Sequence, residues 1–382
     1  MNEFLVKRYK EDEVRFEKIS IVGYSLGGLI ARYVVGVLLE NGFFNNVKPI
    51  TFATFATPHL GSKFHGDSLN VRVLNFLGSN FLGVSGNDMF GFSSTVLDEL
   101  TDAEGPFIRG LKKFKHLQLF ANAIHDRTVP FFTAFITDVD PFQKRDFVDF
   151  VYYETPQKYL TNSPEVDDRI FVDMYNSRYR ETSSGIDTYP SVQERKFQAF
   201  ALVTLPWVFP LIFALTSLTT VMSRYRVREA EKAMEANEST LIKRKSRSEG
   251  IADLAYYTID EVLLEGAMDT FESPDGGSAS PRTTPRPRVT NHARRRFSLL
   301  PIRGSKYNGY EGLIASTPDS MNLDDKTKGW IHTLNQLPWE KYVVKLRRMH
   351  SHAEIVNRRN APGQGQVVLD FWVELMSHCI AD

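Results

Sequence analysis

The sequence predicts an α/β fold built on a parallel sheet, and three observations lead to this prediction. A short apolar run, Ile19–Val22, is followed by a serine turn and then by a long amphipathic segment, which is the order strand, turn, helix. Two apolar runs of strand length follow, Pro49–Phe55 and His116–Ala121, and Glu340–Leu346 is another such run near the end. Strands separated by long connections with helical segments are typical of parallel sheets.

The serine turn, Gly23-Tyr24-Ser25-Leu26-Gly27, has the spacing G-x-S-x-G. In this pattern the serine occupies a tight strand-to-helix reversal, and the glycines allow close backbone approach. The predicted helix after it spans Leu26–Leu39, with one apolar face formed by Leu29, Ile30, Tyr33, Val34, Val37 and Leu38. Ser25 is therefore expected to stand exposed at a helix N terminus. The alternative is a glycine-rich turn in an ordinary βα unit.

Overall composition narrows the class of protein. The 382 residues include 46 basic and 46 acidic side chains, and a net charge of zero gives no indication of a nucleic-acid partner. The single cysteine, Cys379, excludes an intramolecular disulfide and fits a reducing compartment. The first residues carry no basic-then-apolar signal peptide. We therefore expect a protein that faces the cytosol.

A serine nucleophile needs a histidine to take its proton and a carboxylate to orient that histidine. Asp126 directly follows the third apolar run, and His352 follows the last one. The sequence therefore predicts Ser25 as nucleophile, Asp126 as acid and His352 as base. The backbone N–H of Leu26 is the expected oxyanion donor beside the nucleophile. This chemistry requires neither a metal ion nor an organic cofactor.

Each partner of the serine has an alternative interpretation. Asp126 could instead pair with its neighbour or cap the following turn. His350 lies two residues before His352 and competes with it as the base. We interpret His125, beside the acid, as a loop residue, and His59 as a structural residue that orders a lid formed by residues 62–112.

Four motifs occur in order along the chain: Gly23–Gly28, Ala56–Gly61, Asp126–Pro130 and His352–Ile355. Together they resemble the fungal serine-esterase or lipase family of α/β-hydrolases, which includes lipid-droplet phospholipases and monoacylglycerol lipases. The resemblance covers roughly residues 15–160 and 335–380. It implies an α/β-hydrolase-like core that acts on ester bonds of glycerolipids or glycerophospholipids, with the catalytic residues in the order Ser, Asp, His.

The chain also departs from the family pattern. Family members carry several strands and a His-Gly oxyanion loop before the serine turn. Together these comprise on the order of a hundred residues. Here only eighteen residues precede the strand that begins at Ile19 and leads into the serine turn. We therefore expect a partial parallel sheet without the early strands and the oxyanion loop, as in an N-terminally truncated lipase. Because one lost oxyanion donor lowers turnover on the order of a hundredfold to a thousandfold, we also expect impaired activity.

An uncharged apolar run, Phe200–Met222, is long enough for a membrane segment. Basic residues flank it on both sides, at Arg195, Lys196, Arg224, Arg226 and Arg228. Because the acid precedes the run and the base follows it, a single crossing would separate the two residues across the bilayer. We expect a re-entrant or monotopic anchor at the cytosolic face of a membrane or lipid droplet, and a buried helix or lid is the alternative.

These observations predict five parts of the chain. They are a hydrolase core with elbow, lid region and acid loop at 1–160, an irregular excursion at 161–199, the apolar segment at 200–222, a charged helix and disordered linker at 223–330, and the returning core with the base loop and final helix at 331–382. The leading functional hypothesis is a lipase or phospholipase. The alternatives are an inactive membrane-tethered remnant that binds lipid or a partner, and an acyltransferase or thioesterase that uses the same residues.

Overall fold

The computed structural model describes part of the chain in detail. The described residues are 16–62, 95–126, 128–153, 155, 169–181, 225, 228, 302–303, 312–318, 320–346, 351–358 and 363–381. The chain divides into two compact units, the first formed by residues 1–71, 93–185 and 291–382, and the second by residues 72–92 and 186–290. Every helix and strand given below belongs to the first unit. In the second unit, only Tyr225 and Arg228 are described.

The described residues contain seven strands. In chain order they are β1 (Lys18–Tyr24), β2 (Lys48–Phe55), β3 (His116–Asn122), β4 (Val148–Asp149), β5 (Arg178–Tyr179), β6 (Ile302–Arg303) and β7 (Trp339–Val344). The main sheet has the order β1-β2-β3-β7-β6, in which the first four strands run parallel and β6 is antiparallel to β7. β4 and β5 form a separate antiparallel pair. This arrangement confirms the predicted α/β, hydrolase-like fold with a partial parallel sheet.

Helices connect and cover these strands. They are α1 (Leu26–Glu40), α2 (Thr95–Thr101), α3 (Pro106–Leu111), α4 (Phe131–Phe135), α5 (Gly312–Ser316), α6 (Asp325–Asn335), α7 (Ser351–Glu354) and α8 (Gln364–Ala381), with 3-10 helices at Phe43–Asn45 and Pro141–Phe147. The observed β1, α1, β2, β3 and β7 agree with the predicted ranges within two residues at each end, and α8 is the predicted final helix. α1 packs against β1 and against α3.

The inner strands β2, β3 and β7 are largely buried on both faces, as expected for parallel strands. On one face, Phe52 packs edge-on against Trp339 in the larger apolar cluster. On the other, Phe120 stacks on Phe55 at 4.5 Å and on Tyr342 at 4.7 Å between ring centroids. This row of rings runs across β2, β3 and β7 and packs beneath α8. The aromatic row therefore fixes the register of the strands that lead to the candidate site.

The predicted apolar face of α1 is wrong in part. Ile30, Tyr33 and Val37 are 58%, 50% and 40% exposed, whereas the buried side of the helix is formed by Gly28, Leu29, Ala31, Arg32, Val35, Gly36 and Leu38. Small residues occupy this side because the segment after β2 and α3 approach the helix closely, as the contacts of Gly28 with Thr57 and of Gly36 with Phe107 show. Tertiary packing has therefore overridden the hydrophobic pattern.

The end of the expected linker also differs from the prediction. Residues 312–318 and 320–330 are described and contain α5 and the start of α6. Leu313, Ile314 and Leu323 are almost completely buried in the larger apolar cluster. The few apolar side chains of this segment are separated by polar residues. Only its contact with the rest of the core therefore shows that it folds.

The apolar run Phe200–Met222 and most of the expected linker lie outside the described residues. None of the helices in the described ranges combines the length and the apolar character needed to cross a bilayer.

Lys341, on the interior strand β7, is a buried lysine. Its Nζ donates hydrogen bonds to Phe135 O at 2.8 Å, Ile136 O at 3.3 Å and Asn335 Oδ1 at 2.8 Å. The first two acceptors are at the C-terminal end of α4, where a positive charge is favourable. Burial lowers the pKa of Lys341 from 10.5 to about 7.

The lowered pKa makes a prediction for the variant Lys341→Met. Between pH 7 and 10.5 the unfolded chain binds the lysine proton more readily than the folded chain, so this group makes stability rise with pH. One such proton gives a slope of about 1.4 kcal/mol per pH unit. The wild-type free energy of unfolding, measured in urea, should therefore rise more steeply over this range than that of Lys341→Met. Parallel pH profiles would contradict the prediction.

Candidate active site

Ser25 lies in a strained turn between β1 and α1. Its backbone has φ 53° and ψ −133°, a conformation that non-glycine residues rarely adopt. Two backbone hydrogen bonds hold the turn, from Ser25 N to Phe55 O at 2.9 Å and from Gly28 N to Ser25 O at 3.0 Å. This is the sharp strand-to-helix reversal that the G-x-S-x-G pattern predicts.

The two glycines Gly23 and Gly28 permit this reversal. A Cβ on Gly23 would lie 2.4 Å from Gly28 Cα, and a Cβ on Gly28 would lie 2.0 Å from Thr57 Oγ1. Both distances are far shorter than any ordinary contact. β1, the first turn of α1 and the segment after β2 can therefore meet only because these side chains are absent.

Asp126 lies in the loop after β3 and is oriented from several directions. Its Oδ1 accepts hydrogen bonds from the backbone N–H of Thr128 at 3.1 Å and of Val129 at 2.8 Å. Its Oδ2 accepts a hydrogen bond from Asn122 Nδ2 at 2.8 Å. The side chain is only 3% exposed. The predicted alternative of a turn cap is therefore also present, but it uses only one of the two carboxylate oxygens.

His352, on α7, lies between this carboxylate and Ser25. Its Nδ1 is 2.9 Å from Asp126 Oδ2, and its Nε2 is 2.9 Å from Ser25 Oγ. A carboxylate only accepts, so Nδ1–H donates to Asp126 and Nε2 is left to accept the hydroxyl proton of Ser25. The structure thus brings together the three residues that the sequence predicts, from positions 226 and 327 residues apart in the chain.

The remaining predicted residues are Leu26, His125 and His350. Leu26 is the first residue of α1, so its N–H has no helical carbonyl to bind. His125 lies beside the acid with φ 61°, but the imidazole that contacts Ser25 Oγ is that of His352. His350 lies outside the described residues, as does most of the expected lid after Ser62.

His59 is a buried residue of the core. Its Nε2 lies 3.1 Å from Thr54 Oγ1, its ring packs edge-on against Trp339, and its carbonyl accepts a hydrogen bond from Arg32. Burial lowers the pKa of His59 well below its ordinary value, and the charges of Arg32 and Lys341 lower it further. A neutral, buried imidazole fits a structural role. Most of the lid that it is predicted to order, residues 63–94, lies outside the described residues.

Sequence reasoning missed two residues that contact the segment of the base. Tyr24 donates a hydrogen bond from its hydroxyl to His352 O at 3.1 Å. Asn122 donates to both Asp126 and Ser351 O. The signal available was position alone, because Tyr24 directly precedes the serine and Asn122 ends the strand before the acid. Residue type did not distinguish them.

A cavity of about 290 Å³ lies on the side of the acid, lined by residues that include Asn122, His125, Asp126, Phe131, Asp140 and Phe142. Burial raises the pKa of Asp140 to about 6, although hydrogen bonds from Phe142 and Gln143 act in the opposite direction. Within the described residues there is no group of three or more His, Cys, Asp or Glu side chains that could hold a metal ion.

Comparison with known proteins shows similarity to one family over the first part of the chain. The family described as "Putative serine esterase (DUF676)" matches residues 2–138. Residues 2–138 of this chain are therefore similar to that serine-esterase family. The match contains Ser25 and Asp126, whereas His352 comes from beyond the matched residues. The structure therefore brings a histidine from outside the matched residues into contact with the two residues inside them.

Three fungal relatives are similar to the same chain. It is 34% identical over 146 residues to "Putative lipase ROG1" of Saccharomyces cerevisiae, 32% over 133 residues to "Putative lipase C4A8.10" of Schizosaccharomyces pombe, and 28% over 144 residues to "Putative lipase YDL109C" of Saccharomyces cerevisiae. These matches cover 36%, 31% and 36% of this chain but only 20%, 16% and 21% of the relatives. No solved structure gives a significant match.

The surroundings of Gly27 and Gly28 predict opposite effects on stability when each glycine is replaced by alanine. Gly28→Ala introduces a clash with Thr57 and should destabilise the fold by about 1–3 kcal/mol. Gly27→Ala is the matched control, because a Cβ there meets nothing within 4 Å and alanine favours the helix by about 0.5–1 kcal/mol. Urea unfolding of both variants measures the difference. Equal stability of the two would mean that the close approach at Gly28 is not required.

Proposed function

We propose that this chain is a serine hydrolase of the lipase or phospholipase type, in which Ser25, His352 and Asp126 act as nucleophile, base and acid. The observation that carries the proposal is the pair of 2.9 Å contacts that links Ser25 Oγ through the imidazole to Asp126 Oδ2. The strained backbone of Ser25 supports it, because a nucleophile held in such a turn is exposed above the helix N terminus.

In the first half of the proposed reaction, Ser25 Oγ attacks the carbonyl carbon of an ester while His352 Nε2 takes its proton. The carbonyl π electrons move to the oxygen, which accepts a hydrogen bond from the N–H of Leu26. When the carbonyl re-forms, the bond to the alcohol oxygen breaks. His352 gives its proton to that alcohol, and an acyl group remains on Ser25.

In the second half, water replaces the alcohol. His352 Nε2 takes a proton from the water as its oxygen attacks the acyl carbon, and the same proton then returns to Ser25 Oγ as the carboxylic acid leaves. Asp126 holds the imidazole in the orientation and tautomer that both halves require. Its two oxygens are well suited to this role, because donors from the backbone and from Asn122 already fix their position.

A glycerolipid or glycerophospholipid is the proposed substrate. The lipid class of the substrate is inferred from the similarity to a serine-esterase family and from relatives whose names contain the word lipase. Since those relatives are much longer than the matched segment, their full activities do not transfer directly. The proposal for this chain is limited to cleavage of acyl esters of lipids.

The experiment that tests the catalytic proposal is labelling with a fluorophosphonate, together with fatty-acid release from monoacylglycerol and phosphatidylcholine dispersions. Ser25→Ala should abolish both signals because it removes the attacking oxygen. Asp126→Asn should lower turnover on the order of 10³- to 10⁴-fold because the imidazole loses its orienting acceptor. Ser377→Ala, which changes an exposed serine on α8, serves as the control and should behave as wild type.

Each outcome separates the candidate functions. Labelling of Ser25→Ala at the wild-type rate would exclude Ser25 as the nucleophile. A wild-type chain that binds lipid but is neither labelled nor active would favour the inactive, lipid-binding alternative. Labelling with acyl transfer to an added alcohol or thiol, and little fatty acid, would favour a transferase.

We further propose that Phe200–Met222 anchors the enzyme to the cytosolic face of a membrane or lipid droplet. Residues before and after this run contribute to one sheet, since β3 pairs with β7. Both ends of the run must therefore return to the same side of a bilayer. A monotopic or re-entrant arrangement satisfies this requirement, and the flanking basic residues favour contact with anionic lipid headgroups.

Deletion of residues 200–222 tests the anchor. With a short Gly/Ser linker in their place, the chain should lose co-flotation with anionic phospholipid vesicles, while Ser25→Ala should still float with them. The deleted form should retain fluorophosphonate labelling, because the strands of the described sheet are all formed by other residues. Unchanged flotation of the deleted form would reject the anchor.

A further inference from the structure

The base is carried by a very short element. α7 contains only four residues, Ser351–Glu354, and a single helical turn is not stable in isolation. Its position must therefore come from contacts with the rest of the domain. Two consecutive backbone carbonyls of this element accept hydrogen bonds from side chains on the sheet. Asn122 on β3 donates to Ser351 O, and Tyr24 on β1 donates to His352 O.

Tyr24 provides one of these contacts. Its hydroxyl donates to His352 O at 3.1 Å, and its ring lies 5.1 Å from the imidazole, centroid to centroid, at an angle of 36°. Tyr24 is the last residue of β1 and directly precedes Ser25. The backbone that positions the nucleophile thus also carries a side chain that holds the base.

Asn122 provides the other contact. Its Nδ2 donates to Ser351 O at 3.2 Å and to Asp126 Oδ2 at 2.8 Å. That carboxylate oxygen is the one that faces His352 Nδ1. Asn122 is 2% exposed and is the last residue of β3, so its position is set by the core of the sheet. In the opposite direction, Ser351 Oγ donates to Ile124 O at 3.0 Å.

We infer that Tyr24 and Asn122 are positioning residues, which hold His352 in place by binding two adjacent backbone carbonyls from the strands that lead to the nucleophile and the acid. This inference rests on the proposed function, since it assigns roles around the same imidazole. The hydrogen bonds that support this inference go to the base segment and to Asp126. Their effect is on the distance between Nε2 and Ser25 Oγ, and a misplacement of about 1 Å in such a geometry lowers a rate on the order of a hundredfold.

The test compares Tyr24→Phe and Asn122→Ala with wild type in the full chain. Tyr24→Phe removes one hydroxyl and keeps the ring, so the rate of fluorophosphonate labelling and kcat should fall about threefold to tenfold, with KM unchanged. Asn122→Ala removes two hydrogen bonds, one of them to a charged group. It should lower the labelling rate and kcat by about tenfold to a hundredfold. Tyr33→Phe is the matched control, because Tyr33 is half exposed on α1.

A spectroscopic readout separates positioning from general stability. The Nδ1 proton between His352 and Asp126 should give a downfield proton NMR resonance that is absent in Asp126→Asn. It should shift or broaden in Tyr24→Phe and Asn122→Ala at temperatures where both remain folded, and stay unchanged in Tyr33→Phe. If Asn122→Ala does not fold, Tyr24→Phe alone decides the result.

Two failures can be told apart. Wild-type labelling rates and an unchanged resonance in Tyr24→Phe and Asn122→Ala would overturn the positioning roles while leaving the proposed hydrolase intact. Absence of Ser25-dependent labelling in the wild type would overturn the hydrolase proposal. The effect of each variant on the NMR resonance would then still decide whether the two side chains hold the imidazole.

Discussion

The parallel pairing of β3 with β7 is the contact on which the candidate site depends. It aligns Leu117 with Trp339 and Asn122 with Val344, so the carboxyl ends of the two strands lie at the same edge of the sheet. The acid loop leaves from one of these ends and the base segment from the other. Without this register, Asp126 and His352 could not meet, because the chain between them is more than two hundred residues long.

A long insertion between two paired strands is physically tolerable. The entropy lost on closing a loop grows only slowly with its length, so extra residues add little to the free energy of pairing. What compensates for that loss is the burial of β7 on both faces, with the aromatic row on one side and Phe52 and Trp339 on the other. Extra length in this connection therefore costs little, while its buried parts, such as Leu313 and Ile314, belong to the core.

Buried cations contribute to the same scaffold. Arg32 donates to His59 O and Leu100 O, and Lys341 donates to carbonyls at the end of α4. In the described part of the chain, neither forms an ion pair with a carboxylate. Backbone carbonyls accept hydrogen bonds from both side chains, and burial lowers the pKa of Arg32 to about 9. Lys341 thus joins β7 to the end of α4, and Arg32 joins α1 to α2 and to the segment after β2.

Much of the fold and of the candidate site could be predicted because the relevant signals are local. The run before Ser25, the glycines around it and the positions of Asp126 and His352 after apolar runs all depend on neighbouring residues in the chain. The exposed face of α1 and the folding of residues 312–330 could not be predicted in this way. Their burial depends on which distant elements pack against them, and a hydrophobic pattern carries no information on that partner.

The sequence by itself determined the order strand, serine turn, helix and the three residue types that a serine hydrolase needs, because strand length, turn geometry and side-chain chemistry are properties of short segments. Only the tertiary structure decided that His352 contacts both Ser25 and Asp126, and that Tyr24 and Asn122 hold its segment. Hydrogen bonds require positions correct to within a few tenths of an ångström. Between residues so far apart, that accuracy arises only from the register of the sheet.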